Sequence, residues 1–228
     1  MMPVIKRLFD IVSSFVALCV LAPVLVSVAI WIKLDSKGPV FFMQQRAGLG
    51  GKAFRIFKFR TMIYRDPDAI DQHKEQVVSG GVDARITRAG RFIRATSLDE
   101  LPQLLNILKG DMSVVGPRPI LMEQKEVIPP SYFVRFDVRP GLTGLAQVKG
   151  RRSLGWLQQL GYDAEYVKNV GFWYDLGIIF QTVKVVLLGS GIYGGDGLNW
   201  RTYRDRLAGS PPRDEDVQTA MESLSSGN

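Results

Sequence analysis

The chain holds a single cysteine and a single histidine in 228 residues. One thiol cannot close an intramolecular disulfide, and Cys/His zinc clusters, Cys-x-x-Cys redox pairs and two-histidine metal sites all lack their ligands. A Ser-His-Asp hydrolase would have to use His73, which lies in the polar run Asp71-Gln-His-Lys-Glu75 and reads as a solvated loop residue. The Gly48-Leu-Gly-Gly51 stretch before Lys52 matches neither Walker A nor G-x-G-x-x-G, so it reads as a turn rather than a nucleotide cradle. Apolar surface is not scarce. Hydrophobic residues make up 46% and aromatics 10%, which excludes a disordered polymer and suits one compact domain plus appendages. Twenty-nine basic against 22 acidic residues leave +7, so phosphates and anionic lipid headgroups are plausible partners.

The charge is unevenly placed. Residues 11–32 carry no ionisable side chain except the thiol of Cys19. As a helix this run would reach about 33 Å, enough for a hydrocarbon core of about 30 Å. Two features complicate a simple crossing. Pro23 sits just past the middle, where it deletes a backbone hydrogen bond, with Ser13, Ser14 and Ser27 available to satisfy freed carbonyls. Basic residues flank both ends, Lys6 and Arg7 before and Lys33 and Lys37 after, so the positive-inside rule chooses neither end. A straight span, a re-entrant helix broken near Pro23 and a buried core helix all stay open on these residues. A cleaved signal peptide fits worst, because the run is too long and ends in no clear Ala-x-Ala site.

Beyond this run, residues 39–46 and 53–62 read as two β-rich stretches joined through residues 48–51, a hairpin signal. Residues 64–84 are polar and acidic and suit a loop or short helix beside a substrate opening. Arginines at 85, 88, 91 and 94 then repeat every three positions, which fits either a solvated helix flank or a phosphate-binding one. An amphipathic helix is predicted to begin at Ser97, where Ser97 and Glu100 match a capping box, and to stop at Gly110. Asp99 and Glu100 are then most simply helix-start acids. Chemistry offers the competing account that a carboxylate there, one turn after arginines, lies where phosphate oxygens and a divalent cation would also be held. A short strand is expected before Gly116-Pro-Arg-Pro119, whose prolines limit the entropy lost in presenting Arg118. Residues 172–188 are apolar on most faces and suit a core helix or an interfacial one. The tail from 209 is Ser-, Pro- and acid-rich, with a short helix open after Pro212.

Several motifs occur in order: Lys6-Arg-Leu-Phe-Asp10, Pro23, Lys58-Phe-Arg-Thr-Met62, Ser97-Leu-Asp-Glu-Leu-Pro-Gln103, residues 106–119 and Arg139-Pro-Gly-Leu-Thr-Gly144. Through them the chain resembles the bacterial sugar transferases called monotopic phosphoglycosyl transferases, over roughly residues 3–190. The stretch from Ser97 to Pro119 is the specific part. The resemblance implies an α+β, membrane-associated monotopic fold. Residues 1–36 would form a re-entrant helix broken at Pro23, residues 37–200 a catalytic domain with a small β-hairpin or sheet and interfacial amphipathic helices, and residues 201–228 a tail. It places the protein on the cytoplasmic face of a bacterial inner membrane. The chain lacks the multi-span extension of larger relatives, which implies the minimal catalytic form.

The implied reaction moves a sugar 1-phosphate from a UDP-sugar to undecaprenyl phosphate, releases UMP and starts a lipid-linked glycan that downstream glycosyltransferases extend. By resemblance Asp99 is the nucleophile and Glu100 the second acid, with Mg2+ held at Asp99 and Glu100. Arg94 and Arg118 match phosphate contacts, Lys58 and Asp175 match residues associated with activity, and Gln147 and Arg151 match weaker substrate contacts. Two departures stand out. Ala22 replaces the serine common before the proline, and Lys149 stands where asparagine is common. A rival reading from another class is a non-catalytic basic membrane-attached protein that binds anionic lipid or nucleic acid, nucleic acid being the weaker version because no recognised binding motif accompanies the arginines; the transferase reading expects no nucleic acid.

Overall fold

The structure, a computed structural model, describes residues 2–75, 83–150, 153–187 and 199–226. The elements run α1 (Met2–Asp35), β1 (Phe41–Ala47), β2 (Ala53–Phe59), α2 (Arg88–Ala95), α3 (Gln103–Lys109), β3 (Ser113–Val115), β4 (Gly141–Thr143), α4 (Leu145–Lys149), α5 (Trp156–Asn169), α6 (Phe172–Leu187), α7 (Trp200–Leu207) and α8 (Asp214–Ser225). Two small sheets, β1 with β2 and β3 with β4, accompany the helices, so the α+β expectation holds. The chain divides into two compact units, residues 1–46 with 54–114, and residues 47–53 with 115–228.

In the first unit, α1 carries large apolar side chains on every exposed side, among them Leu8, Phe15, Val20 and Leu34. It is the one helix among the described residues long and apolar enough to cross a membrane. Its buried stripe is different at the two ends. Near the start, Arg7 donates to the carbonyls of Ile107 (2.5 Å) and Leu108 (2.8 Å), where a cation suits the negative end of α3. One turn later Asp10, 2% exposed, accepts from Ser113 Oγ (3.0 Å) and the Val114 N–H (2.9 Å). Near its end, Val28 and Ile32 pack with Phe59, Ala89 and Ile93, and Asp35 Oδ2 accepts from the Ala89 N–H at the start of α2. Both ends of α1 are thus tied to one body.

The helical assignment continues through Pro23. Proline removes the N–H that would serve the carbonyl four residues earlier, that of residue 19. The neighbouring serines do not replace it. Ser27 Oγ donates to the Pro23 carbonyl (2.8 Å) and Ser13 Oγ to the Phe9 carbonyl (2.6 Å), each bonding back to its own i−4 position.

The hairpin of β1 and β2 forms where the two β-rich runs predict it, with Ile56 and Phe59 buried on opposite faces of β2 and Phe41 stacked on Phe59 at 5.6 Å. Arg60, at its end, donates to the carbonyls of Ser36, Lys37 and Pro39 and to Ser36 Oγ, fixing the turn out of α1. Asn106 is fully buried on α3 and bonds the backbone of β2 twice, to the Arg55 carbonyl (2.7 Å) and from the Phe57 N–H (2.9 Å). Helix α2 starts at Thr87, whose hydroxyl caps Gly90 N, and a Cβ on Gly90 would fall 1.9 Å from the Thr61 carbonyl oxygen. The close crossing explains a glycine inside a helix, which alone would cost about 0.5–1 kcal/mol.

In the second unit, Gly116, Gly141 and Gly144 form a seam where backbones touch. The Gly116 N–H meets the Thr143 carbonyl (2.9 Å), the Gly141 N–H meets the Pro117 carbonyl (2.8 Å), and a Cβ at any of the three would fall 2.1–2.3 Å from facing backbone. Helix α6 has one buried and one exposed face. Asp175 and Ile178 turn inward, while Trp173 (79% exposed), Phe180 and Val183 face out. A helix follows Pro212 as the composition allows: in α8, Val217 is fully buried in a cluster with Ile120, Phe136, Trp156, Leu160, Trp200 and Tyr203.

Asp10→Ala strands the Val114 N–H and the Ser113 hydroxyl in an apolar interior, and is expected to cost about 2–3 kcal/mol. Asp10→Asn keeps an acceptor and should cost less than half of that. Denaturant unfolding of detergent-solubilised protein reads both.

Candidate active site

The acidic pair expected at a helix start lies instead on a 3-10 turn of three residues, 98–100, followed by a second turn before α3. The capping box does not form. Ser97 adopts a left-handed conformation (φ 59°) and its side chain caps nothing in this turn. Pro102 supplies the reason: without an N–H it cannot bond the Leu98 carbonyl in α fashion, so that carbonyl takes the Leu101 N–H at i+3 (3.2 Å) and α3 starts only at Gln103. Gly110 does end α3, left-handed at φ 94° with its N–H on the Asn106 and Ile107 carbonyls. Glu100, released from a capping role, pairs with Lys58 of β2 at 2.9 Å, with both side chains about one-fifth exposed. Asp99 is half-buried on the same turn.

Arg94 occupies the last turn of α2, against which the 98–100 turn packs. The arginine series is therefore divided. Arg85 precedes α2 and is engaged by Asp83 and Glu75, holding the Asp83 carboxyl down to about 2, while positions 88, 91 and 94 share one flank of the helix. In the first unit, Lys58 and Glu100 thus pair at the turn that also carries Asp99, and Arg94 lies on the adjoining last turn of α2.

The second unit holds Arg118, Gln147 and Asp175. Arg118 is half-buried between its prolines, and its carbonyl accepts from Arg135 Nη2 (2.9 Å). Gln147, on α4, has both amide atoms buried with no hydrogen-bond partner among the described residues. Such a group has an unmet demand that a bound molecule or water would satisfy. Asp175 is buried and accepts from Tyr166 Oη (2.8 Å), which also lies 3.0 Å from the Val115 carbonyl. Arg151 lies outside the described residues.

Two features escaped the sequence. Tyr166, on α5, lies in a stretch to which the sequence assigns no element. Arg135 pairs with Asp163 at 2.8 Å, the two side chains 3% and 4% exposed, and burial pushes the Asp163 carboxyl up to about 6 against the pull of Arg135. The available signal was an arginine inside the apolar run Tyr132-Phe-Val-Arg-Phe136.

No cluster of three or more His, Cys, Asp or Glu side chains stands ready for a metal among the described residues. Two carboxylates from one turn nevertheless match what Mg2+ asks of a protein, one or two acids with substrate phosphates and water completing the shell.

The sequence comparisons identify the family. The model of the bacterial sugar transferase family matches residues 1–189, and the chain belongs to that family, a family of transferases. It is 41% identical to an uncharacterized sugar transferase, EpsL, of Bacillus subtilis, over 83% of this chain and 90% of that one. It is 42% identical to a UDP-glucose:undecaprenyl-phosphate glucose-1-phosphate transferase of Caulobacter vibrioides, over 82% and 72% of the two chains. It is 37% identical to the exopolysaccharide production protein ExoY of Rhizobium meliloti, over 82% and 88%.

Arg135→Met leaves the Asp163 carboxylate buried without its partner and is expected to cost about 3–5 kcal/mol, whereas Arg135→Met with Asp163→Leu should recover most of the loss. Equilibrium unfolding of the two variants provides the comparison.

Proposed function

We propose that the protein transfers a sugar 1-phosphate from a UDP-sugar to undecaprenyl phosphate, the first membrane step of exopolysaccharide, O-antigen, capsule or glycoprotein glycan assembly. The observation that carries this reading is the half-buried carboxylate of Asp99 on a constrained turn beside the Lys58–Glu100 pair. The names of the Caulobacter glucose-1-phosphate transferase and of the exopolysaccharide production protein ExoY support the substrate class and the pathway class.

In the first step an Asp99 carboxylate oxygen attacks the sugar-linked phosphorus of the donor. The new bond is an acyl phosphate, the bond broken is that from this phosphorus to the bridging oxygen, and UMP leaves with the bridging oxygen and its electron pair. In the second step a phosphate oxygen of undecaprenyl phosphate attacks the same phosphorus. The aspartyl bond breaks, Asp99 returns as carboxylate, and the product is the diphosphate-linked sugar. Two displacements at one phosphorus let a soluble donor and a lipid acceptor use the site in turn. Mg2+, when bound, neutralises phosphate charge. Asp99 and Glu100 are the residues that would hold it. Lys58 holds Glu100 in place, Arg94 and Arg118 bind donor phosphate oxygens, and Gln147 and Arg151 contact the donor. Asp175, bonded to Tyr166, supports α6 from beneath.

The membrane mode follows from α1. Residues 10 and 32 would lie about 33 Å apart along a straight helix, enough to set them on opposite sides of a hydrocarbon core of about 30 Å. Yet Asp10 and Ile32 both pack into the first unit, which supports a helix that enters and returns to one face, bending at Pro23 within its helical run. The exposed aromatics of α6 suit the headgroup boundary. The proposed location is therefore the cytoplasmic face of a bacterial inner membrane, where downstream glycosyltransferases would extend the product.

Asp99→Asn should lower UMP release from a UDP-sugar at least about 1,000-fold, as expected for loss of a covalent nucleophile, and leave sedimentation with membranes unchanged; turnover within tenfold of the parent rejects the nucleophile role. Single cysteines placed at positions 4 and 34 of a Cys19→Ser chain should both resist a membrane-impermeant maleimide in intact cells and both react in inverted vesicles. Reaction of one of them from outside excludes the re-entrant topology.

A further inference from the structure

The family model ends at residue 189, yet α7 and α8 lie beyond it and are built into the second unit. Trp200 and Tyr203 from α7 and Val217 from α8 are buried in the same cluster as Ile120, Phe136, Trp156 and Leu160, with Leu207 and Met221 packed against it. Polar contacts reinforce the docking. Tyr203 Oη donates to Asp216 (2.8 Å), Asp214 accepts from the Ser131 N–H (3.2 Å), and Gln158 Nε2 donates to the Ala220 carbonyl (3.4 Å).

A second observation is independent of these. Gly161 lies inside α5, where glycine is a poor helix former. A Cβ there would fall 2.5 Å from both Cγ and Sδ of Met221, so the gap in the α5 surface is filled by α8.

The loop that carries Arg118 is anchored to this cluster on its C-terminal side and to β4 on its N-terminal side. Two residues after Arg118, Ile120 is a member of it, and the Ile120 carbonyl accepts from the Ala47 N–H (2.9 Å). The Arg118 carbonyl is held by Arg135, whose neighbour Phe136 is also a member. Before the loop, Gly116 and Pro117 pair with Thr143 and Gly141. We infer that residues 199–226 form an intramolecular clamp that positions the Arg118 loop for the donor phosphate, with Gly161 as its receptor notch. The role given to Arg118 rests on the proposed transferase reaction; the mechanical coupling of clamp to loop does not.

The test is Gly161→Leu in the full chain in detergent, with Met221→Ala as the intended rescue. Leucine favours the α5 helix but fills the notch. Amide exchange at Gly116 and Gly141 should accelerate at least about tenfold as the loop loses its backing. The KM for UDP-glucose, or for whichever UDP-hexose the parent turns over, should rise at least about fivefold with kcat within about twofold, the pattern of lost binding. Adding Met221→Ala should return both readouts most of the way. Unchanged exchange at Gly116 and Gly141 overturns the clamp, as does faster exchange with an unchanged KM. Should Gly161→Leu fail to fold, Val217→Ala carries the same two readouts in a milder form. A parent chain that releases UMP from no UDP-hexose counts against the transferase reading alone, because the exchange measurement still decides the coupling.

Discussion

Asp10 carries a carboxylate into the interior, and its two hydrogen bonds to Ser113 and Val114 hold the first third of α1 against the segment leaving α3. Burying an acid is costly unless its oxygens are met by donors, so this contact defines one position of the helix along the body and penalises every other. Asp35, at the opposite end, meets the start of α2 by the same logic. With both ends held, the apolar residues between them have nowhere to go but outward. A helix with membrane length and a fixed span on one body is the constraint from which the proposed one-sided membrane insertion follows.

The same economy of short polar contacts shapes the turn proposed to be catalytic. Pro102 forbids a smooth helix through residues 97–103, and the resulting 3-10 turn leaves the acidic pair half-buried rather than in a cap. Lys58 then takes Glu100 and leaves the two acids inequivalent, which suits a mechanism that asks one to attack and the other to remain. Adjacent identical charges with different surroundings are a recurrent route to divided roles in one site.

Much of this was legible in the sequence. The hairpin followed from two aromatic, β-rich runs about a glycine turn, and the stop of α3 from Gly110. The resemblance to sugar transferases rested on motifs that the family match then bore out. The capping box failed because Ser97 and Glu100 satisfy the local pattern while Pro102, three residues further from Asp99, overrides it through a missing donor. Arg135 with Asp163, Tyr166 with Val115, and Met221 with Gly161 were out of reach for a different reason. Each pairs residues 28–60 positions apart, or sets a side chain against the backbone of a remote strand, and no local periodicity records such a match. Gly161 in particular reads from sequence only as a weak point in a helix.

The central claim is a covalent bond between Asp99 and the phosphorus that carries the sugar. Incubating the protein with UDP-glucose or another accepted UDP-hexose and Mg2+, without lipid acceptor, followed by acid quench and mass spectrometry of the peptides, tests it directly. The account predicts one hexose-phosphate adduct, confined to the peptide containing Asp99 and discharged when undecaprenyl phosphate is added before the quench. Steady turnover with lipid, in a chain that never carries the adduct or carries it on another residue, would contradict it.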